Sequence, residues 1–196
     1  MAQYPPSQYT PNRYLSHRIG LLLAVLALTL PLAYLAVAEI EAASPESEPT
    51  VVYLVRHAEK TKSHPKDPSL SSVGAQRAAQ LALTLRDAGI EHIHSTDFLR
   101  TRRTAEPLAD RLRLPVELYD PKDLAAVAEK ILSTPGRHLV TGHSNTTPQL
   151  VELLGGEGGT PIEEFGENDR LYVLLISPTG TVTTLLLRYG DPFNEG

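Results

Sequence analysis

Two histidines in this chain stand directly at the ends of apolar runs. Val51-Val52-Tyr53-Leu54-Val55 runs into Arg56-His57, and Val140-Thr141-Gly142 runs into His143. Short β-branched runs bounded by polar residues predict buried strands of a parallel sheet. An open α/β sheet places its ligand site at the carboxyl ends of its strands. Both imidazoles therefore arrive at one edge, the second with a glycine that allows close backbone approach. Ser95-Thr96-Asp97-Phe98-Leu99-Arg100 adds an arginine where a strand turns into a helix, whose first N–H groups suit an anion. An arginine beside a histidine can hold an oxyanion while the imidazole attacks it. Each residue alone has an ordinary structural explanation, but together they are what a phosphate pocket needs.

The elements that must position these residues alternate between strand and helix. Strands are predicted at 51–55, 90–95, 116–119 and 137–141. A helix capped by Ser71 or Ser72 runs to about Asp87, where Gly89 ends it. A second helix covers 98–112, with a kink or break near Glu106 because Pro107 lies inside it. A third opens at Asp120-Pro121 and runs to Leu132, and a fourth covers 148–154. Strands 171–176 and 181–188 flank Ser177-Pro178-Thr179-Gly180, a hairpin signal. The expected fold is α/β: a mainly parallel central sheet with helices on both faces, an antiparallel edge from the last hairpin, and one N-terminal hydrophobic helix in front.

Composition narrows the setting. The 196 residues are 41% hydrophobic, enough for one domain with a sizeable core. A formal net charge of -5 argues against a nucleic-acid binder. The absence of cysteine removes disulfides, thiolate metal sites and cysteine nucleophiles. Residues 1–18 read as a disordered polar tail. Residues 19–38 carry no charge, follow Arg13 and Arg18, and precede Glu39, Glu41, Glu46 and Glu48. That asymmetry predicts an exported domain, periplasmic or otherwise extracytoplasmic. Twenty residues can span a bilayer as an anchor, while Ala36-Val37-Ala38 has the form of a cleavage site; a buried helix is the third reading. Residues 39–49 form the linker and 50–196 the domain.

In four ordered segments the domain resembles the histidine phosphatase superfamily, also called phosphoglycerate mutase-like. Arg56-His57-Ala58 is similar to its Arg-His-Gly signature. Leu70-Ser71-Ser72-Val73-Gly74-Ala75-Gln76-Arg77-Ala78 is similar to its Leu-Thr-x-x-Gly-x-x-Gln-Ala segment, with the glutamine one place early. Ser95 to Arg100, followed by Thr104-Ala105, is similar to Ser-x-x-x-x-Arg-x-x-x-Thr-Ala, and Gly142-His143 to the segment of the second catalytic histidine. The resemblance implies that His57 is the nucleophile that becomes phosphorylated, held with Arg56, Arg100 and His143 around the phosphoryl group. It implies a phosphomonoester hydrolase that needs no metal and no cofactor, because a transferring phosphoryl group is stabilised chiefly by fixed positive charge. Flanking cations would keep the imidazole neutral.

The proton donor for the leaving group is less legible. Asp120 ends a strand on the predicted site edge; Asp123, Glu117 and Glu59 are further candidates. Asp120 could equally cap the following helix. Ser144 stands where another branch of the family has an aspartate. His92 and His94 share a strand face and could bind metal, with no third ligand evident. Arg102 and Arg103 either extend the basic pocket or form a solvated helix face. Lys60 and Lys62 rim the pocket or lie in solvent, and Asn145 orients a histidine or makes a turn. Substrate specificity falls to the loops at 61–69 and 155–170, the second being either a lid or a flexible connection. The expected partner is a phosphorylated small molecule or envelope component, with a membrane contact through an uncleaved N-terminal segment. Nothing in the residues sets an oligomeric state. A mutase, a protein-histidine phosphatase and a non-catalytic phosphoanion-binding module are the competing functions.

Overall fold

The computed structural model describes residues 48–62 and 66–192. The tail, the hydrophobic segment 19–38 and most of the linker lie outside the described residues, and so does their expected role in export. Six strands form one sheet: β1 (Thr50–Arg56), β2 (His92–Thr96), β3 (Val116–Tyr119), β4 (Arg137–Gly142), β5 (Arg170–Ile176) and β6 (Val182–Arg188). Their order across the sheet is β3-β2-β4-β1-β5-β6. β1 pairs in parallel with β4, and β2 with both β4 and β3. β5 runs antiparallel to β1, and β6 to β5. The mainly parallel sheet with an antiparallel edge is thus present.

Four helices cover the sheet: α1 (Ser72–Thr84), α2 (Leu99–Leu112), α3 (Leu124–Ser133) and α4 (Thr146–Leu153). Alternation along β1 divides the core in two. Val51 and Val55 face a cluster with Leu81, Leu85, Ile93, Leu108 and Leu139, under α1 and α2. Val52 and Leu54 face Val127, Ile131, Val140, Leu150 and Tyr172, under α3 and α4. Each fully buried aliphatic side chain contributes about 1.5–3 kcal/mol, so the central strand is locked from both faces.

Three expectations change. α2 passes through Pro107 without a break. The missing hydrogen bond falls on the carbonyl of Arg103, an exposed position, while Thr101, Thr104, Ala105, Leu108 and Ala109 are packed inward. α1 ends at Thr84 rather than Asp87. α3 begins at Leu124, capped by Asp123, whose carboxylate accepts from the Ala126 N–H at 3.1 Å. Asp120 and Pro121 precede it in a turn, where the Asp120 carboxylate accepts from the Lys122 N–H at 2.9 Å.

The start of α1 is fitted to the strand-end segment by a glycine. Ser71 caps the helix through its hydroxyl, which accepts from the Gly74 N–H at 3.1 Å. A Cβ on Gly74 would stand 2.1 Å from the carbonyl oxygen of Glu59. Gly74→Ala is therefore expected to lower the unfolding free energy by about 1–3 kcal/mol or more. Urea denaturation measures this, and an unchanged midpoint would show that the contact is not tight.

Candidate active site

The site forms at the carboxyl ends of β1, β2 and β4, and its centre is a backbone-pinned histidine. His57 is 3% exposed. Its N–H donates to the Gly142 carbonyl at 2.9 Å, which ties the end of β1 to the end of β4. Its carbonyl accepts from Asn168 Nδ2 at 2.8 Å. The next N–H, of Ala58, donates to Thr104 Oγ1 at 2.9 Å. The imidazole Nδ1 lies 2.8 Å from the Ala58 carbonyl. A carbonyl only accepts, so this contact assigns the ring proton to Nδ1 and leaves the Nε2 lone pair free. Burial pushes the His57 pKa down; the Ala58 contact works against it, and Arg56, Arg100 and His143 push it further, to about 3. The ring is neutral and nucleophilic across the physiological range.

His143 completes the wall. Its ring centroid lies 5.6 Å from that of His57. Thr96 Oγ1 donates to Thr101 Oγ1, so the 3.1 Å contact between Thr96 Oγ1 and His143 Nε2 is a bond donated by the histidine. Its Nδ1 then faces Arg100 Nη2 at 3.5 Å. Burial, followed by Arg100 and Arg56, lowers its pKa to about 4. Gly142 is needed at this corner, because a Cβ there would lie 3.0–3.1 Å from Thr147 Oγ1, Thr146 Oγ1 and the Tyr119 hydroxyl.

Both guanidinium groups are held from behind. Arg56 Nη1 donates to the carbonyls of Glu163 at 2.7 Å and Glu167 at 3.1 Å, and Nη2 to that of Glu164 at 2.8 Å. Arg100 lies 3.8 Å from Asp67 and 4.5 Å over the Phe98 ring. In each case the Nε–H is buried without a protein partner among the described residues. An unmatched buried donor costs about 1–3 kcal/mol. Two of them beside a neutral imidazole make a receptor for oxyanion oxygens. The cavity of about 570 Å³ runs from Arg56 and His57 past Lys60 and Lys62 to Phe165.

The structure therefore brings together four of the residues expected from sequence, Arg56, His57, Arg100 and His143. The candidate acids fare differently. Asp120 lies at the end of β3, separated from β1 by β2 and β4, and caps its own turn. Glu117 pairs with Lys130. Glu59 does line the cavity, but Arg77 Nε and Nη2 both donate to its Oε1, at 2.8 and 2.7 Å. Arg77 occupies the place of the expected motif glutamine and holds Glu59 Oε1, while Glu59 Oε2 is buried without a hydrogen-bond partner among the described residues. Arg102 and Arg103 are exposed and paired with Asp97 and Glu106, a solvated helix face. Asn145 is an exposed residue at the start of α4.

Sequence reasoning missed Glu164 and Asn168, which sit in an irregular loop with no pattern to mark them. The Glu164 carboxylate accepts from Ser144 Oγ at 2.7 Å and lies 3.9 Å from both Arg56 and Lys60. The Ser144 hydroxyl holds it below the usual carboxylate range against the effect of burial, with Arg56, Lys60 and Arg100 assisting.

The sequence profile of the histidine phosphatase superfamily (branch 1) matches residues 52–121. A probable phosphoglycerate mutase GpmB of Erwinia tasmaniensis is 42% identical over 77 residues, 36% of this chain and 35% of that protein. The match thus spans about a third of the relative's length. Among solved structures, the protein histidine phosphatase SixA complexed with tungstate superposes with a TM-score of 0.60 at 20% identity, over 71% of this chain and 97% of that one. The alpha-ribazole phosphatase of Shigella flexneri gives 0.54 at 13% identity, over 71% and 96%. At these identities the structural likeness is one of fold.

A second histidine group lies away from this edge. His138 of β4 joins His92 and His94 beneath α3, a residue no spacing rule had linked to them. The three rings stack, with centroids 4.7 Å apart for His92 and His138 and 5.3 Å for His94 and His138. His94 Nε2 and His138 Nδ1 are hydrogen-bonded to each other at 3.1 Å, and His138 Nε2 to the Thr134 carbonyl at 2.9 Å. Among the described residues no group of three or more His, Cys, Asp or Glu is arranged to hold a metal ion. Burial, then His138, lowers the His94 pKa from 6.5 to about 4. The unfolded chain then binds a proton that the folded domain refuses, so stability falls as pH drops from about 6.5 to 4. This group's share is on the order of 3 kcal/mol. Unfolding measured between pH 7 and 4 should show a shallower loss in His94→Gln than in the wild type; parallel curves would remove His94 as the cause.

Proposed function

We propose that this chain, which matches the histidine phosphatase superfamily over residues 52–121, hydrolyses phosphoryl compounds through a phosphohistidine at His57. The observation that carries this reading is a neutral imidazole with a free Nε2 beside two buried, unpartnered guanidinium N–H donors. The phosphoryl oxygens would lie against Arg56, Arg100 and His143. Nε2 attacks phosphorus, the bond to the leaving group breaks, and the leaving group takes a proton. Water then attacks the phosphohistidine, the P–N bond breaks, and the neutral imidazole returns with inorganic phosphate released. Arginines supply the positive charge that divalent metal supplies in other phosphoryl transfers.

One feature favours the protein-histidine phosphatase reading as the second choice. The cavity carboxylates are both engaged as acceptors, Glu59 by Arg77 and Glu164 by Ser144. A phosphomonoester alkoxide needs a proton from an acid, whereas the nitrogen of a phosphoramidate is a far better leaving group. The substrate is a phosphorylated small molecule or envelope component. Export rests on the charge asymmetry around residues 19–38, whether that segment is retained as an anchor or cleaved.

His57→Ala is expected to abolish hydrolysis of an aryl phosphate. Acid quench of the wild type with labelled substrate should fail to preserve the phosphoenzyme, while alkaline quench should preserve it; label stable to acid would assign the phosphate to another residue type. Chelator treatment should leave turnover within about twofold of the untreated rate, since arginines carry the electrostatic work. A large loss, restored by a divalent ion, would overturn metal independence. Across a series of phosphoesters, turnover should fall steeply as the leaving group becomes more basic, and a flat series would show that an acid is present after all.

A further inference from the structure

The loop between α4 and β5 could have been a lid or a slack connection. In the structure it is built around a buried carboxylate. Glu167 is 2% exposed. Its Oε1 accepts from Arg170 Nε and from Arg188 Nη1, and its Oε2 from Arg170 Nη2 at 3.0 Å and from the Glu163 N–H at 2.7 Å. Arg170 also donates to the Thr160 carbonyl, to Thr160 Oγ1 at 3.1 Å and to the Pro161 carbonyl at 3.2 Å. One buried ion pair thus gathers Thr160, Pro161 and Glu163 in the second half of the loop. Burial opposes the charge on Glu167, but Arg170, the Glu163 N–H and Arg188 outweigh it and hold the carboxyl below its usual range.

The inner side of the same loop faces the site. The carbonyls of Glu163, Glu164 and Glu167 accept all the Nη bonds of Arg56 found among the described residues. Asn168, next to Glu167 and 5% exposed, donates to the His57 carbonyl. Arg56 is therefore not free to choose its rotamer. Three of its five N–H donors are bound to these carbonyls, so the edge left for an anion is the Nε–H with the second Nη2 N–H. Neither Glu167 nor Arg170 lines the cavity.

We propose that the Glu167–Arg170 ion pair is a positioning device for phosphoryl binding, acting through the loop carbonyls that fix the Arg56 guanidinium. The proposal rests on the phosphoryl-binding reading of the Arg56 site, and not on whether that site turns substrate over. It makes Arg170 a positioning residue and predicts that its effect disappears once Arg56 is gone.

The test is a double-mutant cycle read by calorimetric binding of inorganic phosphate to the full chain, with aryl phosphate hydrolysis measured in parallel. Arg170→Lys keeps the charge but loses the planar fork that reaches Glu167, Thr160 and Pro161 together. Phosphate affinity should fall about tenfold, and kcat/KM by up to about a hundredfold, as for a misplaced clamp. Arg56→Gln should fall at least as far. The double variant should bind phosphate within about twofold of Arg56→Gln alone, because residues that act through one another are not additive. Multiplied effects in the double variant, or wild-type phosphate affinity in folded Arg170→Lys, would overturn the proposal. If Arg170→Lys does not fold, Arg188→Gln, which removes a half-exposed partner of the same carboxylate, carries the same cycle and the same two outcomes. Phosphate binding without hydrolysis in the wild type would sink the hydrolase reading and leave the positioning role standing.

Discussion

Arg56 carries a positive charge into the interior at the end of the central strand, and much of the molecule is arranged to make that tolerable. A buried guanidinium keeps its charge, so without partners it would be costly and would not stay in place. Backbone carbonyls from one loop solvate it in the way water would, and unlike water they are fixed. The cost of fixing them is met by the Glu167–Arg170 pair, which has its own N–H donors and carbonyl acceptors. A cation held in this way can act on a neighbour. Burial is the main reason that the His57 pKa is low, and this cation pushes it lower, which leaves the imidazole neutral; the Arg56 Nε–H itself is buried without a partner among the described residues.

Arg100 solves the same problem differently. It comes from the first turn of α2 and is steadied by Asp67 and by the face of Phe98. The two arginines therefore reach one nucleophile from opposite sides of the sheet edge, one supported by a loop and one by a helix. The third arginine near the site, Arg77, has a separate task. It locks Glu59, and its Nη1 reaches the carbonyl of Tyr189 beyond the last strand at 2.9 Å. A pocket rich in cations and poor in free carboxylic acid follows, and that balance suits the phosphoryl group better than it suits a basic leaving group.

Legibility followed the range of the interaction. Arg56, His57, Arg100 and His143 were readable because each sits at a fixed offset from a strand end, and parallel strands bring such ends together by topology. The strand assignments held to within a residue or two for the same reason. At Pro107 local propensity predicts a kink or a break, and the helix passes through without the break because packing of α2 on the sheet prevails. Asp120 falls on the expected edge, but β3 lies three positions across the sheet from β1, with β2 and β4 between them, and its carboxylate closes a local turn. Glu59 was near enough, yet its partner Arg77 lies 18 residues later, on a helix that only folding brings alongside.

By itself the amino-acid sequence determined the alternation of strands and helices, the edge on which the chemistry falls, and the four groups that meet there. These depend on periodicity and on offsets within single elements, which are local properties of the chain. Tertiary structure decided which charges are free to act. It set the tautomer of His57, matched Glu59 with Arg77 and Glu167 with Arg170, turned the 155–169 segment into a support for Arg56, and stacked His138 on His92 and His94. Each of those outcomes is a pairing between residues from different elements or an irregular loop. The strength of such a pairing depends on burial and distance, and no spacing along the chain encodes either.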